Sequence, residues 1–238
     1  FFPEFTDEHV IDGFDVPDHW PCWISVDWGS AIRCAVGIYA QDPDTGVYYL
    51  FDEIYCKNQT AYQVATLIKT KLGKRFGNLK GRYADRRVMV KDEDTQISTK
   101  QKFAMEGIYL QLATDDRVPG WHAVRELLMK DREGRVQFQV FSKCKEFIRT
   151  MQEQTFAANA HGNKAEDLDP KGEAHHPDQF RYFSIMRKTM PNQPDYAVPQ
   201  VEYSAVTGYM GKVNAQPRLR DRIPRLTNAK RGVNHFFT

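Results

Sequence analysis

Apolar and polar positions change their period several times along this chain, and the changes mark its elements. Residues 22–41 and 46–55 are dense in Val, Ile, Tyr, Trp and Phe, which favour a pleated, half-buried surface. Asp42-Pro43-Asp44-Thr45-Gly46 between them carries the residues of a hairpin turn. The expected opening is three strands in an antiparallel meander: a short one through Trp23-Ile24-Ser25-Val26, then 33–41 and 47–55. A helical period follows. Ala61, Val64, Ala65, Ile68 and Leu72 share one face, Asn58 or Thr60 stands at the N-cap, and Gly73 and Gly77 end the pattern. Residues 79–85 read as a strand returning to the sheet.

Further on, helices and strands alternate. A helix is expected from about Thr95 to 104, a strand over 108–112, and a helix from Pro119 to about Lys130 with Val124, Leu127 and Leu128 inward. A strand over 135–141 and a helix from Cys144 to about Phe156 come next. Residues 157–174 are polar and read as a loop. The last helix is expected from Pro177, since proline is accepted at the first helical position, to about Lys188. The fold class is therefore α/β, a mixed central sheet that opens with an antiparallel meander and is flanked by helices. A doubly wound nucleotide fold would begin β-α-β with a glycine-rich turn. Neither GxGxxG nor GxxxxGK[ST] occurs, so no phosphate cradle for a nucleotide is expected.

Composition divides the chain into three parts. Residues 1–21 are acidic and proline-punctuated, with six Asp or Glu and no Lys or Arg among the first 20, and read as a linker from a preceding domain. The first residue is not Met, which suits a piece of a longer protein. Residues 22–190 form the expected domain. Residues 191–238 read as an irregular basic extension with one short strand near Tyr203; Lys212, Arg218, Arg220, Arg222, Arg225, Lys230 and Arg231 suit a polyanionic partner or an acidic protein surface. The whole chain of 238 residues carries a net charge of only +2. Its four cysteines have no CxxC spacing, so neither a zinc site nor a disulfide framework is expected. No apolar run is long enough to span a bilayer.

The candidate chemistry lies in three acids. Asp27 ends the first apolar strand run, Asp85 ends the strand over 79–85, and Asp178 stands in the first turn of the last helix. Carboxylates gathered at a sheet edge repel one another unless cations lie between them. Hydrolysis of a phosphodiester needs an activated water and a stabilised leaving oxygen, and two Mg²⁺ or Mn²⁺ ions supply both. Asp27 is assigned as the bridging ligand, with Asp85 and Asp178 each completing one metal. Glu53, Asp167, Asp169 and His176 are further candidate ligands. Arg86, Arg87, Lys91 and Arg181 are candidate DNA contacts that neutralise phosphates without reading sequence.

Ile24-Ser25-Val26-Asp27-Trp28-Gly29, then Tyr83-Ala84-Asp85, then His176-Pro177-Asp178-Gln179-Phe180-Arg181-Tyr182 resemble the nuclease domain of the large terminase subunit of tailed bacteriophages. The lead-in, with Pro3-Glu4 and Val16-Pro17-Asp18-His19-Trp20, resembles that family's junction between ATPase and nuclease. The likeness covers residues 1–190. It implies an RNase H-like fold and metal-dependent cleavage of concatemeric double-stranded viral DNA during packaging, with the family's acids on Asp27, Asp85 and Asp178. It also implies an ATPase domain in the same polypeptide, a portal ring and a small terminase subunit as partners, and action in the host bacterial cytoplasm rather than in the mature virion. Gln179 stands where some relatives have a second acid. Two other readings stay open: another RNase H-like enzyme such as a junction resolvase or transposase, or a non-catalytic DNA- or portal-docking module.

Overall fold

The computed structural model describes residues 1–29, 33–158 and 164–188. They fold as β1 (Val10–Ile11), β2 (Cys22–Asp27), β3 (Cys34–Gln41), β4 (Tyr48–Cys56), α1 (Ala61–Leu72), β5 (Leu79–Ala84), α2 (Thr99–Met105), β6 (Gln111–Leu112), α3 (Arg117–Leu128), β7 (Phe138–Phe141), α4 (Lys145–Glu153), β8 (Phe156–Ala158), β9 (Lys164–Leu168) and α5 (His175–Met186). The basic extension over 191–238, with the strand expected near Tyr203, lies outside the described residues. Among the described residues no helix is long and apolar enough to cross a membrane.

Among these elements the large sheet has seven strands in the order β1-β7-β4-β3-β2-β5-β6. The expected meander is present: β3 is antiparallel to both β2 and β4. Every other neighbouring pair is parallel. Thus β3 alone runs against the rest, and β2, β4 and β5 all finish at one edge. In open α/β sheets that carboxyl edge is where ligands gather.

Both faces are covered, which is why β2 is buried at every position. Trp23, Ser25 and Asp27 alternate onto one face, where α5 lies: Ser25 Oγ donates to the Gln179 carbonyl at 2.6 Å, and the Tyr39 hydroxyl donates to Gln179 Oε1 at 2.7 Å. Gly37 permits this approach, because a Cβ there would collide with the Gln179 side chain and the Tyr39 ring. Phe180 and Phe183 of α5 fill the layer beneath, with the Tyr39 and Phe183 rings stacked at 3.8 Å. On the opposite face α1 presents Val64, Ala65, Ile68 and Leu72, and its Lys71 reaches Asp52 of β4 at 2.7 Å. Of the two caps expected for α1, Thr60 is the one used.

Several boundaries differ from expectation. The last helix starts at His175, so Pro177 is its third residue, where its missing N–H is still no loss. In the same way α3 starts at Arg117. The strand expected over 108–112 is reduced to Gln111–Leu112, and the one over 135–141 to Phe138–Phe141. The loop expected over 157–174 contains the strands of a small antiparallel pair, β8 with β9. The lead-in, read as a linker, packs against the sheet. Phe2 and Phe5 are buried, β1 pairs with β7, and His9 Nε2 lies 2.9 Å from the Leu128 carbonyl. Its aromatic residues outweigh its acidic and proline content.

Candidate active site

Asp27 is the last residue of β2, and Asp85 follows the last residue of β5. The pairing of Val26 with Ala84 in adjacent parallel strands sets the two acids side by side. Their side chains are 1% and 5% exposed. Arg87 joins them, with Nη2 2.6 Å from Asp27 Oδ1 and Nε 2.5 Å from Asp85 Oδ2. A 3-10 turn over Arg86–Met89 folds the arginine back onto the pair. Burial works against the Arg87 charge, but Asp27 and Asp85 outweigh it and hold the guanidinium above its ordinary value. Asp85 Oδ1 is buried without a hydrogen bond. Burial, and then the Asp27 charge, push the Asp85 carboxyl up to about 6.

The first turn of α5 brings two more groups. His175 Nδ1 lies 2.8 Å from Asp27 Oδ2. Asp178, one turn on, accepts from Arg181 Nε at 3.1 Å and from Arg117 Nη1 at 3.4 Å. Its carboxyl is raised by burial first and then by Asp27, against the pull of Arg181 and Arg117. The Tyr182 hydroxyl is raised by burial and by the charges of Asp27, Asp178 and Asp85 together. Asp27 thus adds to the raising of both other carboxyls. Among the described residues, no three His, Cys, Asp or Glu side chains stand close enough to hold a single ion directly. The basic side chains of Arg87, Arg117 and Arg181, with His175, occupy carboxylate oxygens instead.

The other expected ligands have partners of their own, although Asp167 and Asp169 line one cavity with Asp178. Glu53 accepts the backbone N–H groups of Glu146 and Phe147 at 3.0 and 2.8 Å, capping α4. Burial raises its carboxyl despite those bonds. His176 is fully buried, and burial pushes it down to about 3, so it is neutral and forms no ion pair with Glu53 Oε2 at 3.2 Å. Asp167 accepts from Trp121 Nε1 at 2.8 Å and from Arg117 Nε at 2.9 Å. It therefore holds the arginine that reaches Asp178. Asp169 shapes a turn, accepting from the Lys171 amide at 2.9 Å.

Of the expected phosphate contacts, Arg86 is exposed and pairs with Asp115 at 3.0 Å. Arg87 is half-exposed and enters a groove that also contains Trp28, Gly29, Tyr62, Lys91 and Lys102. Arg181 is 3% exposed and committed to Asp178 and the Asp116 carbonyl, so it does not reach the surface. Sequence reasoning missed Arg117, Tyr182 and the role of His175. Only the helical spacing of His175 and Asp178, three residues apart on one face, was available as a signal.

A mixed sheet with one reversed strand, covered by helices and carrying acids at its carboxyl edge, defines an RNase H-like fold. The same fold is found in large-terminase nuclease domains. The large terminase of a thermophilic bacteriophage matches with a TM-score of 0.61 at 20% identity, over 77% of this chain and 44% of its own. The P22 large terminase nuclease domain matches at 0.57 and 20%, over 79% of this chain and 92% of its own. The nuclease domain of the bacteriophage SPP1 large terminase, with bound Mn, matches at 0.52 and 15%, over 75% and 97%. This chain therefore spans under half the length of the thermophilic phage protein. No family model matches this sequence, and no curated protein matches it.

Proposed function

We propose that this chain is a divalent-metal-dependent endonuclease that cuts concatemeric double-stranded DNA during phage genome packaging. The observation that carries the reading is the side-by-side placing of the buried Asp27 and Asp85 at the carboxyl edge, with Asp178 in the first turn of the helix whose His175 reaches Asp27, in a fold shared with large-terminase nuclease domains. The residues fit Mg²⁺ or Mn²⁺. The three acids supply only oxygen, the donor that these cations prefer. Asp85 Oδ1 lacks a partner, and the Asp85 and Asp178 carboxyls are raised by burial and then by the Asp27 charge, both of which bound cations would offset. The Mn bound to the SPP1 domain supports the same choice.

Asp27 would bridge two cations, with Asp85 and Asp178 each completing one. When bound, such ions supply an activated water and stabilise the leaving oxygen. The chain's own residues prepare the rest. Arg117 and Arg181 fix the rotamer of Asp178, Asp167 and Trp121 hold Arg117, and Gln179 anchors α5 to the sheet. Arg87 and Lys91 offer positive charge along the groove for a phosphate backbone, a contact that carries no sequence preference. On this reading an ATPase domain belongs to the same polypeptide, the portal ring and small terminase subunit are its partners, and it acts in the host cytoplasm.

The test is plasmid cleavage at low salt with Mg²⁺, Mn²⁺, Ca²⁺ or EDTA, using wild-type protein and Asp85→Asn. Cleavage with Mg²⁺ or Mn²⁺, lost with EDTA and in the variant, is the expected result. Metal-independent cleavage, or full activity in Asp85→Asn, would overturn the assignment.

A further inference from the structure

Cys34 opens β3 and Cys56 closes β4, and the antiparallel register places them directly opposite each other. Directly paired residues in antiparallel strands have Cα atoms roughly 4.5–5.5 Å apart, inside the range that a disulfide bridges. Directly opposed residues carry their side chains on the same face, so the two thiols are cross-strand neighbours. Cys34 is buried, whereas Cys56 is partly exposed. Interaction with Cys56, and then burial, raise the Cys34 thiol, while the interaction with Cys34 lowers Cys56 against its own burial. One sulfur is thus accessible and thiolate-prone, and its neighbour is a protected partner directly across the ladder from it.

We propose that Cys34 and Cys56 form a cross-strand dithiol that low-molecular-weight disulfides oxidise to a reversible intrachain disulfide. The Cys56 thiolate attacks one sulfur of the small disulfide, forming a mixed disulfide and releasing one thiolate. Cys34 gives its proton to that thiolate and attacks the Cys56 sulfur. The bond between Cys56 and the small molecule breaks, and the second small thiol leaves with a proton from solvent. Two protein thiols are oxidised, and one small disulfide is reduced to two thiols.

The position gives the bond a structural consequence. Ala35, next to Cys34, pairs with Asp27. Cys56 leads through Lys57 into Asn58, Gln59 and Thr60, which line the groove beside Arg87. Asn58 there has a left-handed backbone (φ 55°). A covalent tie would therefore pin two strand ends at the mouth of the carboxyl edge without consuming a carboxylate. This inference does not depend on nuclease activity.

The experiment treats the folded protein with glutathione disulfide, alkylates remaining thiols under denaturing conditions, and maps tryptic peptides by mass. Residues 34–57 contain no internal Lys or Arg, so both cysteines fall in one peptide. The expected product is that peptide unalkylated and lacking one hydrogen from each thiol, restored by dithiothreitol. Cys22 and Cys144, both buried, should remain alkylatable. In Cys34→Ser the glutathione adduct should persist on Cys56, because nothing resolves it. Full alkylation of all four cysteines in the treated wild type would overturn the proposal. So would a glutathione adduct on wild-type Cys56 as stable as that in Cys34→Ser.

Discussion

Asp85 concentrates the electrostatic tension of the site in one side chain. Its carboxyl titrates near 6 in the fold against an ordinary 3.8, because it is buried beside Asp27. Between those values the folded chain keeps a proton that the unfolded chain has lost. Metal-free stability therefore falls as pH rises through that window, and the cost is complete above about pH 6. Two pKa units correspond to about 3 kcal/mol at most. Asp85→Asn should flatten this part of the pH dependence and raise metal-free stability at neutral pH, measured by urea unfolding. An unchanged slope would show that the tension lies elsewhere. Arg87 offsets part of the same repulsion. Arg87→Gln should lower metal-free stability by about 1–2 kcal/mol, since it leaves two buried carboxylates uncompensated while removing a half-exposed partner. Added Mn²⁺ should recover more stability in that variant than in the wild type. Equal recovery would separate Arg87 from the metal position. The three acids were legible in the sequence because two stand at the ends of apolar strand runs and one in the first turn of a helix. Arg87's bridge was not, because it depends on the register of β2 with β5, which no local pattern records.

At the scale of elements, α5 carries the most. Its first turn delivers His175 and Asp178, and its buried face fixes their height over the sheet through Gln179, Phe180 and Phe183. The next helix in importance is α4, whose N-terminus is held by Glu53 from β4. Losing such a cap costs about 0.5–2 kcal/mol. Glu53→Ala should lower stability by that amount while Mn²⁺ still stabilises the variant as it does the wild type, as thermal unfolding with and without the ion would reveal. Loss of the Mn²⁺ effect would return Glu53 to the ligand set. The long helices and the meander were readable from period alone. The pair β8 and β9 was not, because Lys164-Ala165-Glu166-Asp167-Leu168 has no apolar alternation; its Asp167 is tied to Arg117 and Trp121 of α3. The packing of the lead-in was hidden for the opposite reason. Its acids are obvious, whereas Phe1, Phe2 and Phe5 find Trp121, Phe147 and Phe156 only once the chain has folded.

Across the whole molecule, one architectural fact organises the rest. With β3 alone reversed, β2, β4 and β5 end together, so a single edge collects Asp27, Asp85, the approach to α1 and the half-exposed Arg87. The groove beginning there leads past Lys91 and Lys102. The central claim is that Asp27 is shared by two cations while Asp85 and Asp178 each serve one. Calorimetric titration of Mn²⁺ into wild type, Asp27→Asn and Asp178→Asn measures this directly, with circular dichroism confirming that each variant is folded. The account predicts two sites in the wild type, one remaining in Asp178→Asn and neither surviving at comparable affinity in Asp27→Asn. An Asp27→Asn protein that binds Mn²⁺ with wild-type stoichiometry and affinity would contradict it.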